Sequence, residues 1–125
     1  MVVLDSSAVL ALLLEERGAE RVAAAMRQSE MSIVNMSEVV TKIAEAGGDP
    51  DETFGIVVSY GVRVQAFREA HAIEVARLRP LTKHLGLSLG DRACLALGKS
   101  SGLPILTADG GMARADVGLD IRMIR

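Results

Sequence analysis

The chain has 125 residues, 50% of them hydrophobic and 24% charged, which is the make-up of one globular domain: too short for two cores and too apolar for disorder. A net charge of −2 supplies no global basic field for a polyanion, although a bound divalent cation reverses the field locally. Phe54, Phe67 and Tyr60 are the only aromatic residues, so the core is aliphatic and there is no aromatic platform for stacking single-stranded nucleic acid.

Val2 to Leu4 reads as a strand, and Ser6 and Ser7 then offer cap chemistry for a helix through Leu14. The run Val9 to Leu14 resembles a short signal segment, but no Lys or Arg precedes it and Glu15 and Glu16 follow it. Nothing approaches the roughly 18 apolar residues of a membrane span, so a cytoplasmic location is expected. Gly18 breaks the helix, and Ala19 to Arg27 forms a second one that completes a helical hairpin. Met31 to Val34 has the length of a buried strand, and Asn35 then starts a helix to about Ala46.

In "GGDPDE" one helix ends and another starts near Asp49, with Pro50 well placed in its first turn; Gly61 closes it. Val62 to Ala66 alternates as a strand, and a helix from Arg68 to Arg79 is stopped by Pro80. Leu81 to Leu89 reads as a loop with some local helix, followed by a helix from Gly90 to Ser100 and Gly102 as its end signal. That helix holds the only cysteine, Cys94, in the apolar run "ACLALG", which suits a buried inert thiol in a reducing compartment. "PILTADGG" is a strand ending in a turn, a brief helix starts at Met112, and "LDIRMIR" supplies the last strand. Strands separated by helices predict a mainly parallel central sheet with helices on both faces, an α/β/α sandwich spanning residues 1–125 as a single domain.

In such a sheet the functional crevice lies beyond the carboxyl ends of the strands. Asp5 follows the first strand, Glu38 comes soon after the second, Asp109 follows "ILTA", and Asp91 opens a helix. Each has a local explanation. Asp5 fits a helix cap, Glu38 a capping box with Asn35, Asp91 a first-turn acid on the helix dipole, and Asp109 an Asp-Gly turn. The topology also offers a joint explanation, because it converges all four on one crevice. Carboxylates meeting there at about 4 to 6 Å repel by roughly 3 to 4 kcal/mol per contact at an effective dielectric near 20. A hard divalent cation relieves that repulsion, and an all-oxygen set suits Mg²⁺ or Mn²⁺ rather than Zn²⁺. His71 and His84 are far apart, follow no strand, and read as surface residues.

The stretches "VLDSSAVLALLL", "MSEV", "LSLGDRACLALG" and "ILTADG" resemble, in order and across the whole chain, the PIN-domain family, especially VapC-type toxins of bacterial toxin–antitoxin pairs. The resemblance implies a Mg²⁺-dependent endoribonuclease, with Mn²⁺ as substitute, acting on RNA through metal-activated water. It also implies a cognate VapB-type antitoxin and a homodimer. Carried over, the acidic quartet falls on Asp5, Glu38, Asp91 and Asp109, with Asp5 and Asp91 as main metal ligands and Ser6 in support. Many relatives have a further acidic or polar residue soon after the last Asp; here glycines follow, and Asp116 is the nearest acid.

Arg92 and Arg114 are candidate phosphate contacts or plain surface charges. Val22, Ala23, Met26, Val39, Val40 and Ile43 form either an antitoxin groove or core packing. A haloacid-dehalogenase-type phosphatase requires a second Asp where Ser7 stands, and a response-regulator receiver requires an acidic pair and a late Lys that are missing. The remaining rival is a catalytically silent PIN module that acts as a binding or scaffold protein.

Overall fold

The computed structural model describes residues 1–125. Its strands are β1 (Val2–Leu4), β2 (Ser29–Ser32), β3 (Arg63–Gln65), β4 (Ile105–Thr107) and β5 (Ile121–Met123). They form one sheet in the order β3-β2-β1-β4-β5 with every pairing parallel. The chain winds outward from β1 to β3 and then returns to the far side of β1 for β4. This reversal opens a crevice beyond the carboxyl ends of β1 and β4.

Seven helices cover the sheet: α1 (Ser6–Leu13), α2 (Ala19–Ala25), α3 (Ile33–Glu45), α4 (Pro50–Ser59), α5 (Glu69–Thr82), α6 (Leu89–Ser101) and α7 (Gly110–Ala113). Side chains alternate across a strand, so neighbouring residues of the central strands feed opposite cores. Leu4 and Leu106 pack with Val9, Met31, Met36 and Val39 under α1 to α4. Val3 and Ile105 pack with Val75, Leu78, Leu95 and Met112 under α5 to α7. The result is the expected α/β/α sandwich, and Val22, Met26 and Val39 are core residues rather than walls of a groove. Gly18 turns the α1–α2 hairpin at φ 94°, where a Cβ would also stand 2.8 Å from the Ile124 carbonyl oxygen, so only glycine fits.

Local boundaries differ from the sequence reading in instructive ways. β2 ends and α3 begins two residues earlier than the apolar run suggests, because the Ser32 hydroxyl accepts the Val34 N–H at 3.1 Å and caps the helix. Asn35 and Glu38 are therefore not a capping box; both lie inside α3. Of the cap residues the sequence offers for α1, Asp5 takes the position, and Ser6 and Ser7 lie inside the helix. Pro80 does not stop α5, which runs on to Thr82 and a 3-10 turn at Lys83–Leu85. In the turn that precedes Pro80, Arg92 Nη1 donates to the Val75 carbonyl at 2.9 Å, and the Thr82 hydroxyl donates to the Leu78 carbonyl at 2.9 Å.

His71 is buried rather than a surface residue, while His84 is exposed as expected. His71 Nδ1 accepts the Arg68 N–H at 3.1 Å and closes the first turn of α5, so the other ring nitrogen, Nε2, is the one that donates, to Ser100 Oγ on α6 at 3.1 Å. His71→Phe keeps the ring beside Phe67 but removes both bonds. Urea unfolding is expected to show a loss of about 1 to 3 kcal/mol.

Candidate active site

Asp5 leaves β1 with its N–H on the Leu106 carbonyl and turns at once into α1. Its Oδ1 accepts the Ala8 N–H at 2.9 Å and the Ser7 hydroxyl at 2.7 Å, and its Oδ2 accepts the Thr107 hydroxyl. The residue is 2% exposed. Burial pushes its carboxyl from 3.8 up to about 6; the bonds from Thr107, Ser7 and Ala8 pull it back, and the charge of Asp91 adds to the rise.

Thr107, the last residue of β4, also accepts the Asp109 N–H at 2.9 Å, while Ser7 Oγ accepts the Ala108 N–H at 2.9 Å. The two strand ends are thus stitched together by two hydroxyls. Asp109 caps α7 through its Oδ1, which takes the Gly111 N–H at 2.9 Å, and it joins Asp5 through Thr107 rather than by direct contact. Sequence reasoning named neither Ser7 nor Thr107 as part of the site. The available signal was a hydroxyl residue at the end of each central strand segment, in "LDSS" and "ILTAD".

On the other side of the crevice, Glu38 of α3 accepts at Oε1 from Ser6 Oγ at 2.9 Å and from Asn35 Nδ2 at 3.0 Å. Asp91 sits in the first turn of α6 in a reciprocal cap with Ser88: its Oδ2 takes the Ser88 N–H at 2.9 Å, and its N–H donates to Ser88 Oγ at 3.1 Å. Cys94, one turn further along α6, is fully buried. Its thiol is pushed well up by burial first and then by the charges of Asp5, Asp91 and Glu38. These three carboxylates therefore act on one point, and Cys94 stays protonated and inert.

None of the four carboxylates is paired with a Lys, Arg or His. Asp5 is buried with a second negative charge nearby and no cation, an arrangement that calls for a countercharge. Glu38 Oε2, Asp91 Oδ1 and Asp109 Oδ2 accept no protein hydrogen bond. The donors are all oxygen, which suits a hard cation. No three Asp, Glu, His or Cys side chains stand together as a closed metal cage. By donor chemistry, an all-oxygen set suits Mg²⁺, which is held by one or two carboxylates and keeps its waters, better than Zn²⁺.

The remaining candidates lie outside this cluster. Arg92 is tied to α5 through Val75. Arg114, at the end of α7, is exposed beside the Asp109 turn, and Asp116 is exposed beyond it. A groove of about 540 Å³ opens from Glu38 and Gly90 between the N-termini of α3 and α6, walled by Ile33, Val34, Ser37 and Leu89.

No curated protein sequence matches the chain. Among solved structures, a toxin–antitoxin complex from Klebsiella pneumoniae superposes with a TM-score of 0.76 at 16% identity, over 100% of this chain and 98% of that one. DNA-bound VapBC from Salmonella typhimurium gives 0.73 at 18% identity over 100% of both chains. VapC20 of Mycobacterium tuberculosis, described as a sarcin-ricin loop cleaving toxin, gives 0.76 at 19% identity over 93% of this chain and 95% of that one. At such identities the likeness speaks for the fold. The PIN domain family model matches residues 2–118, nearly the whole chain, and the chain belongs to the PIN-domain family.

Proposed function

We propose that this protein is a Mg²⁺-dependent endoribonuclease, the toxin of a VapBC-type pair. The observation that carries the reading is the set of four carboxylates without cationic partners at the β1–β4 switch point, one of them buried. The toxin–antitoxin and VapBC complexes among its structural neighbours support a VapB-type partner, and the VapC20 likeness supports RNA as substrate. A homodimer and replacement of Mg²⁺ by Mn²⁺ belong to the same proposal. Of the expected antitoxin contacts, Ala23, Val40 and Ile43 remain accessible, and no helix is long and apolar enough to cross a membrane.

Asp5 and Asp91 are the residues that would hold the metal; when bound, it lowers the pKa of a coordinated water and neutralises charge building on the scissile phosphate. Ser7 and Thr107 hold Asp5 in place, and its Oδ2, which accepts only from Thr107, is the oxygen with room for a cation. Glu38 Oε2 and Asp109 Oδ2 are free to accept from the attacking water or from water in the outer coordination sphere. The groove lies between the N-terminal ends of α3 and α6, the positive ends of the helix dipoles, which favours an RNA phosphate. With the central positive charge supplied by the ion, a net charge of −2 is no obstacle to a polyanionic substrate.

The test incubates purified, antitoxin-free protein with total RNA and Mg²⁺ or Mn²⁺, beside an Asp5→Asn control and a chelated sample. Cleavage by the wild type alone, lost on chelation and restored by Mn²⁺, is expected. No cleavage under any metal would side with a silent binding module, and equal cleavage by the control would point to a contaminating nuclease.

A further inference from the structure

Glu38 is bonded through a single oxygen, once across to another helix and once within its own. Its Oε1 takes hydrogen bonds from Ser6 of α1 and from Asn35 of its own helix, and the second amide hydrogen of Asn35 goes to the Gly90 carbonyl of α6 at 3.0 Å. Both neighbours of Asn35 Nδ2 are acceptors, so the amide orientation is settled by the network. It leaves Asn35 Oδ1 buried without a partner, although the residue is only 1% exposed. An orphaned buried acceptor is a poor arrangement for packing alone.

Gly90 completes the picture. A Cβ there would stand 2.3 Å from Glu38 Oε2 and 2.4 Å from both Cδ and Oε1. The carboxylate therefore lies flat against the Gly90 backbone. No left-handed backbone angle requires glycine at this position, and inside a helix alanine is ordinarily the better residue. What the missing Cβ makes room for is the Glu38 carboxylate.

We infer that Ser6, Asn35 and Gly90 form a preformed seat that holds Glu38 by Oε1 and presents Oε2 alone to the crevice, with Asn35 and Gly90 as positioning residues. Glu38 then acts through a single oxygen and is not a bidentate metal ligand. The functional half of this inference rests on the nuclease reading; the seat itself does not.

Two readouts on the full-length protein separate them. Thermal unfolding is measured for Gly90→Ala, Glu38→Ala and the double variant. With Glu38 present, Gly90→Ala is expected to lower Tm; with Glu38→Ala as background it is expected to raise Tm by roughly 3 to 5 °C, as helix propensity dictates. Equal shifts in both backgrounds would overturn the seat whatever the nuclease assay shows. In RNA cleavage with Mg²⁺, Gly90→Ala and Asn35→Ala are each expected to reduce kcat by about 10- to 100-fold with KM nearly unchanged. Neither should matter further once Glu38 is Ala; additive losses there would refute a role exerted through Glu38. Coupled Tm shifts in a wild type that cleaves nothing would keep the seat and reject the nuclease.

Discussion

Asp5→Asn is expected to abolish RNA cleavage while making the metal-free protein more stable at pH 7. In the fold the Asp5 carboxyl titrates at about 6 rather than 3.8, chiefly because it is buried. Between those values the folded state binds more protons than the unfolded chain, so stability from this group is complete below about pH 4 and is lost as pH rises through 6. At neutral pH the ionised carboxylate lowers stability by about 3 kcal/mol relative to the acid side. Asparagine has the same shape: its oxygen accepts from Ser7 and Ala8, and its amide donates to the Thr107 hydroxyl, which reverses its own proton. Urea unfolding from pH 4 to 8 in chelator should show a sloping stability for the wild type and a flatter one for the variant. Mg²⁺ should then stabilise the wild type selectively, because the ion supplies the missing countercharge. Parallel pH profiles for the two proteins would refute the buried-charge account of Asp5.

Thr107→Val is expected to cut cleavage by about 10- to 100-fold, an effect of the size seen when the residue behind a metal ligand is lost. The substitution keeps the shape of a fully buried side chain but removes a hydroxyl that donates to Asp5 Oδ2 and accepts the Asp109 N–H. Both groups are left with one partner fewer, which is expected to lower stability by about 1 to 3 kcal/mol. Since the Thr107 bond pulls the Asp5 carboxyl down, its loss also moves the acid limb of the rate profile to higher pH. Thr107→Ser, which retains the hydroxyl, should preserve most of the cleavage rate and leave that limb in place. A valine variant as active as the serine one would show that Asp5 does not depend on this hydroxyl.

The succession of strands and helices was legible because its signals are local. Val2 to Leu4 and "ILT" are short apolar runs, Pro50 and Gly102 mark helix ends, Asp5 stands directly after a strand and Asp109 two residues after one. Errors arose where local signals competed. "MSIV" looks like an apolar strand, yet the Ser32 hydroxyl starts α3 inside it, and Pro80 looks like a stop but lies in the last turn of α5. His71 looked solvent-exposed because nothing near it in the chain reveals that Ser100 of α6 meets its ring.

Acid placement after strand ends could be read along the chain, since the parallel pattern alone sends those ends to one side of the sheet. How the acids are held could not. Ser6 meets Glu38 across 32 residues, Asn35 meets Gly90 across 55, and Thr107 meets Asp5 across 102. Hydrogen bonds of that reach depend on how α1, α3 and α6 pack around the end of the sheet, and no periodicity or dipeptide encodes them. The same holds for the burial that lifts the Asp5 carboxyl, because desolvation comes from every element packed over it. Four carboxylates in the right order are a property of the chain; one buried charge, one seated carboxylate and two hydroxyl stitches are properties of the packing.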